Sequence, residues 1–130
     1  MQFNDFTERC SKYGMNVSRE TFKQLSLYVK LLVKWDNTIN LVSKITINDV
    51  WLRHIVDSMQ LLKYINTQNS IIIDFGSGAK FPGIILSICE IREIHLIESD
   101  MCKSAFLLEA SKLSNQKIII HNTRIEHLHY

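Results

Sequence analysis

The 130-residue chain sets 15 Lys and Arg against 13 Asp and Glu, a formal charge of +2, with 46% hydrophobic and 22% charged residues. That balance excludes an intrinsically disordered chain, and one Pro with four Gly excludes collagen-like and low-complexity architectures. The length suits one domain with a core that needs neither disulfide nor metal, and Cys10, Cys89 and Cys102, in no zinc-finger or C-x-x-C spacing, read as free thiols in a reducing compartment, small buried hydrophobes rather than ligands.

Met1 to Phe6 carries no charged-then-apolar leader, and no apolar run approaches the ~20 residues that span a bilayer, so the sequence predicts a soluble cytoplasmic protein. Phe3, Phe6, Cys10 and Tyr13 recur at helical steps and predict a short amphipathic helix that Gly14 ends. Ser18 is the expected N-cap of a second helix, with Phe22, Leu25, Val29, Leu32 and Trp35 on one stripe. Lys23, Lys30 and Lys34 gather on another face, which is either a solvated surface or a phosphate-facing patch. Asn37 to Ser43 reads as a connector, and a third helix is expected from about Asn48 to Tyr64 with Trp51, Ile55, Met59 and Leu62 inward. Residues 1–69 carry a net +3 and residues 70–130 a net −1, so the first half is mildly basic, a distribution that suits nucleic acid.

From residue 70 the pattern changes. Ser70 to Asp74, Ile94 to Glu98 and Lys117 to His121 are short β-branched runs compatible with buried parallel strands. Pro82 opens one intervening helix, and Asp100 caps another that bears Phe106, Leu107, Ala110 and Leu113. Strands alternating with helices predict an α/β fold with a parallel sheet and right-handed crossovers. The division expected is a helical region over 1–66 followed by an α/β unit over 67–130.

The segment that carries chemistry is Asp74-Phe75-Gly76-Ser77-Gly78-Ala79-Lys80-Phe81-Pro82-Gly83, placed between a strand and a helix. Glycines there allow a sharp turn and close approach to a ligand, and the helix start behind offers free N–H groups to an anion. The dinucleotide fingerprint fails because its sixth position is Phe81, and the Gly-Lys-Ser/Thr phosphate loop is absent. An Asp two residues before the first glycine points instead to S-adenosylmethionine enzymes. Such a site also needs an acid at the end of the second strand, since ionised carboxylate is an acceptor-only group suited to two ribose hydroxyls. Glu98 supplies it.

With these residues in view, the chain resembles the bacterial small-subunit (16S) ribosomal RNA guanine-N7 methyltransferases, the RsmG or glucose-inhibited division protein B family. The resemblance runs over essentially the whole chain: Lys34-Trp35-Asp36, Asn40 to Ser43, Arg53 to Ser58, Asp74 to Gly83, Glu98-Ser99-Asp100 with Lys103 and Phe106-Leu107, and Thr123 to Glu126. It implies an N-terminal helical region followed by the first half of a class I, Rossmann-like methyltransferase fold. It also implies S-adenosyl-L-methionine as cofactor and small-subunit rRNA or the 30S subunit as partner. By the same resemblance Gly76, Gly78 and Phe81 contact the cofactor, Glu98 holds its ribose, Ile125 and Glu126 flank its adenine, and Asp74 orders the loop. Guanine N7 has an in-plane lone pair and no proton, so the expected chemistry needs positioning and no catalytic acid or base. His54, His121, His127 and His129 are accordingly not read as catalytic or metal-binding.

The chain departs from the family at Lys80, where the pattern has a third glycine, and the resemblance stops at Tyr130 while family members continue through further strands. In a sheet of three strands the first becomes an apolar edge, and the expectation is self-association along it. Two readings of function therefore stand: an active rRNA methyltransferase, or a truncated, inactive remnant that retains at most cofactor or RNA binding. A class I methyltransferase acting on a protein or small molecule is a third, disfavoured by the basic helical first half.

Overall fold

The computed structural model describes residues 1–39, 49–66, 69–75, 82–124 and 126, with the backbone alone at Ile39 and Arg53. Phe6 and Cys10, about one turn apart, form the buried side of α1 (Phe3–Ser11). The chain leaves α1 through Gly14 at φ +72°, where Gly14 N–H donates to Ser11 O and Met15 N–H to Cys10 O. This double closure requires a left-handed residue, which glycine adopts without a Cβ penalty. Ser18 Oγ then accepts the Thr21 N–H at 3.1 Å and caps α2 (Arg19–Ile39), as its position in the sequence predicts.

Helix α2 runs through Ile39, so the connector expected from Asn37 begins later than predicted. Asn and Thr are only weak helix breakers, and Trp35 one turn earlier is anchored edge-on against Phe106 at 5.9 Å between ring centroids. The rest of that connector, and Asn48, lie outside the described residues. The third helical run, α3, has three windings: π over Val50–Val56, α over Asp57–Gln60 and 3-10 over Leu61–Tyr64. Trp51, Ile55 and Met59 are buried along it and Leu62 is half-buried. Trp51 closes an aromatic cluster with Phe6 and Phe22 at 5.0 and 5.3 Å, which ties α1, α2 and α3 together.

The α/β part contains β1 (Ile71–Phe75), α4 (Pro82–Ile88), β2 (Glu93–Ile97), α5 (Met101–Ser111) and β3 (Lys117–His121). The strands form a parallel sheet in the order β1-β2-β3, with Ile71 opposite Glu93 and Glu93 opposite Lys117. β3 occupies its predicted residues, while β1 and β2 are each offset by one residue from the runs read in the sequence. Ile72, Asp74, Ile94 and Leu96 lie on the face against α4; Ile94, Leu96 and Asp74 all crowd Gly83, leaving no room for a Cβ there. Gly83 thus lets α4 sit directly on the sheet.

The other face differs. Ile71, Ile73 and Phe75 are 64%, 45% and 41% exposed. Beside them a polar chain crosses β2 and β3: Lys117 Nζ lies 3.2 Å from Glu93 Oε1, Glu93 Oε2 is 2.8 Å from His95 Nε2, and His95 Nδ1 is 2.9 Å from His121 Nε2. The two imidazole centroids are 5.2 Å apart, about the N···N distance plus both ring radii, so the rings meet edge to edge. Hydrogen bonds from His95 first, then Lys117, hold the Glu93 carboxyl below the usual carboxylate range.

Buried side chains from α1, α2, α3, α4, β2 and α5 form one hydrophobic cluster. Cys10 belongs to it, and burial pushes its thiol up to about 11; Cys89, half-buried, rises to about 12 through burial first. Cys102 departs from the buried reading: it is exposed on the first turn of α5, where the helix turns its apolar side the other way. Among the described residues no helix is long and apolar enough to cross a membrane, and no cluster of His, Cys, Asp and Glu is arranged to hold a metal ion.

Candidate functional site

Parallel strands end together, so the residues that follow β1, β2 and β3 share one edge of the sheet, where open α/β sheets bind their ligands. Asp74 and Glu98 come from adjacent strands at this edge. Asp74 Oδ2 accepts the Gly83 N–H at 3.1 Å, which pins the start of α4 to the end of β1 and brackets the glycine loop from both sides. Burial raises the Asp74 pKa, the Gly83 hydrogen bond opposes that rise, and the nearby Glu98 charge adds to it. Among the described residues the charge that bears on Asp74 is thus a second carboxylate, Glu98.

Glu98 is only 5% exposed. Its Oε2 accepts the Asp100 N–H at 3.0 Å, which fixes the carboxylate, while its Oε1 is buried without a hydrogen-bond partner among the described residues. An unsatisfied buried acceptor costs about 1–3 kcal/mol, and more when charged. The same Asp100 caps α5 by accepting the Lys103 N–H. Asn122, just past β3, donates to Glu98 O at 3.0 Å and to Ser104 Oγ at 2.9 Å, and Ser104 Oγ donates in turn to Glu98 O at 3.2 Å. The turn after β2 is thus locked from β3 and α5, and Oε1 is aimed by a rigid frame.

Two carboxylates, one with a missing donor and one raised by burial, suit a ligand that brings hydroxyl donors and positive charge together. The residues present therefore fit a cationic nucleoside-type cofactor.

Of the residues singled out in the sequence, Asp74 and Glu98 meet in one electrostatic field. Glu126 is exposed and pairs loosely with Arg124 at 3.9 Å. Gly76, Gly78, Phe81, Ile125 and the departing Lys80 lie outside the described residues, as do His127 and His129. The sequence reading missed Asn122, Ser104 and Tyr28. Tyr28, on α2, is buried against Phe106, and its hydroxyl pKa is raised by burial first and by the Asp74 charge second. Only a polar hydroxyl inside an otherwise apolar helix stripe signalled it.

Comparison with known proteins fits this geometry. Residues 21–130 match the family described as rRNA small subunit methyltransferase G, GidB. The chain belongs to this family. Three relatives, each called ribosomal RNA small subunit methyltransferase G, illustrate the match. The protein of Orientia tsutsugamushi (strain Boryong) is 57% identical over 113 residues, which cover 87% of this chain and 57% of the relative. That of Rickettsia akari (strain Hartford) is 51% identical over 112 residues, 86% of this chain and 59% of the relative. That of Rhodospirillum rubrum is 48% identical over 112 residues, 86% of this chain and 56% of the relative. The chain thus spans less than two thirds of the length of these GidB relatives.

Proposed function

We propose that this chain supplies the cofactor-holding part of an S-adenosyl-L-methionine-dependent methyltransferase that acts in the cytoplasm on N7 of a guanine in small-subunit rRNA. The observation that carries the reading is the buried Oε1 of Glu98, without a hydrogen-bond partner among the described residues, beside a partly buried Asp74. In this reading Glu98 Oε1 accepts the ribose hydroxyls, Asp74 orders the loop near the methionine end, and, as the family resemblance implies, Gly76, Gly78 and Phe81 contact the cofactor while Ile125 and Glu126 flank its adenine. S-adenosyl-L-methionine, when bound, brings a sulfonium methyl group open to attack by a lone pair. Because N7 carries no proton, the residues need only hold it in line, and no general base is assigned. Residues 67–130 would serve the cofactor and residues 1–66 the RNA. Among the described residues β1 has a strand neighbour on one side only, which supports self-association along β1.

Calorimetric titration of the chain with S-adenosylmethionine, compared with Glu98→Gln, tests the site. Losing a charged acceptor should weaken binding about 10- to 100-fold, the equivalent of ~1.5–3 kcal/mol. Equal affinities would remove Glu98 from the site. Radiolabelled methyl transfer to unmodified 30S subunits then separates the readings: label retained in rRNA supports the enzyme, and binding without transfer supports the remnant.

A further inference from the structure

The outward face of α2 is a basic stripe. At 3.6 residues per turn, positions 19, 23, 30 and 34 fall within an arc of about 60°. Arg19, Lys23, Lys30 and Lys34 are all exposed, and Leu25, Tyr28, Val29 and Leu32 are buried on the opposite side. The stripe extends about 22 Å along the helix at 1.5 Å per residue. Among the described residues none of the three lysines forms an ion pair, although pairs form elsewhere at Lys112, Lys117 and Arg124. Glu20 borders the stripe only at its first turn, and Asp36 projects from the other side of the helix. Arg19 is oriented by the Phe3 ring, 4.4 Å from its guanidinium carbon.

A groove of about 450 Å³ runs along one flank of this stripe, lined by Met1, Val29, Val33 and Trp51, with Lys30 and Ser26 also on its wall. A row of cations beside an apolar trough is the arrangement that takes a nucleic-acid strand, phosphates on the charges and a base or sugar in the trough. A lipid surface would demand the reverse, an apolar face projecting outward with cations at its margins.

We propose that this face of α2 docks the RNA substrate, with Lys23, Lys30 and Lys34 each holding a backbone phosphate. The proposal rests on the rRNA reading above. It extends that reading by naming the surface that holds the substrate. Through Tyr28 and Trp35, α2 packs on Phe106 of α5, whose cap Asp100 donates its N–H to Glu98, so RNA seated on the stripe is held on the same framework as the cofactor edge.

The test is the salt dependence of binding to in-vitro-transcribed, unmodified small-subunit rRNA. It compares the wild type with a Lys23→Gln/Lys30→Gln/Lys34→Gln variant and with Lys12→Gln/Lys63→Gln/Lys112→Gln, which removes the same charge elsewhere. Each lost phosphate contact on a single strand removes about 0.7 from the slope of log K against log salt, so the stripe variant should be shallower by about 2, with the control close to wild type. Unchanged S-adenosylmethionine affinity and thermal melting in both variants certify the fold. Equal slopes for stripe and control variants overturn the proposal while leaving the rRNA reading intact. A wild type that does not bind rRNA even at low salt overturns both. Loss of binding to phosphatidylserine vesicles, with rRNA binding unchanged, assigns the stripe to a membrane surface instead.

Discussion

Asp74 illustrates how a binding residue works against the fold that holds it. Its folded pKa lies above the ordinary value of ~3.9, chiefly through burial. An acid whose folded pKa is raised favours the native state while protonated; as pH rises through that folded pKa, the native state must ionise at a cost the unfolded chain does not bear. Asp74→Asn keeps an acceptor for the Gly83 N–H and removes the charge. It should therefore raise the melting temperature at pH 7, and the advantage should vanish as pH falls to the ordinary Asp range. Thermal denaturation across pH 3.5–8 checks this. A constant difference at all pH values would assign the effect to packing. The same variant should bind a cationic cofactor more weakly, the trade between stability and function expected at a binding site. Glu93 titrates in the opposite sense: its depressed pKa makes its contribution present at neutral pH and lost as acid protonates it.

At the scale of elements, α1 and α4 end on the same motif with different residues. Gly14 closes α1 at φ +72°, and Glu90 closes α4 at φ +75° with its N–H donated to Ser87 O and the Ile91 N–H to Leu86 O. Left-handed backbone costs a residue with a Cβ about 1–2 kcal/mol. Glu90→Gly should thus stabilise the chain by about 1 kcal/mol, read as a higher urea midpoint at unchanged slope. A lower midpoint would mean that the Glu90 side chain makes compensating contacts. Nothing in the structure explains why glutamate stands there. The elements themselves were largely legible in the sequence. The isoleucine runs mark the strands, Ser18 and Asp100 mark caps, and the three-four spacing of Phe22, Leu25, Val29 and Leu32 marks α2. The end of α2 was misread because Trp35 is held by Phe106, a partner 71 positions away that no local pattern reveals. Likewise Glu98 and Asp74 were legible from strand-end spacing, whereas Asn122 and Ser104 act through hydrogen bonds between separate crossovers and carry no local signature.

At the scale of the whole molecule, one side of the sheet lies under the helices, while the other is exposed along β1 and largely buried or half-buried along β2. β1 stands at the edge with Ile71, Ile73 and Phe75 exposed, and among the described residues no Lys or Pro guards it. Such an edge pairs readily with another chain. Sedimentation velocity should show the weight-average mass rising with concentration, and Ile73→Lys should return the chain to monomer. A wild type that stays monomeric at high concentration would exclude self-association along β1.

The core that α1, α2 and α3 share with the sheet has a thermodynamic consequence. A chain with one core melts in one cooperative step, so a ligand that prefers the native state protects all of it by mass action. A cofactor held at Glu98 would slow hydrogen exchange at Phe6 as well as at Leu96. By reciprocity, a cavity cut beneath Phe6 would lower the apparent affinity at an edge it never touches, wherever it leaves an appreciable fraction of the chain unfolded.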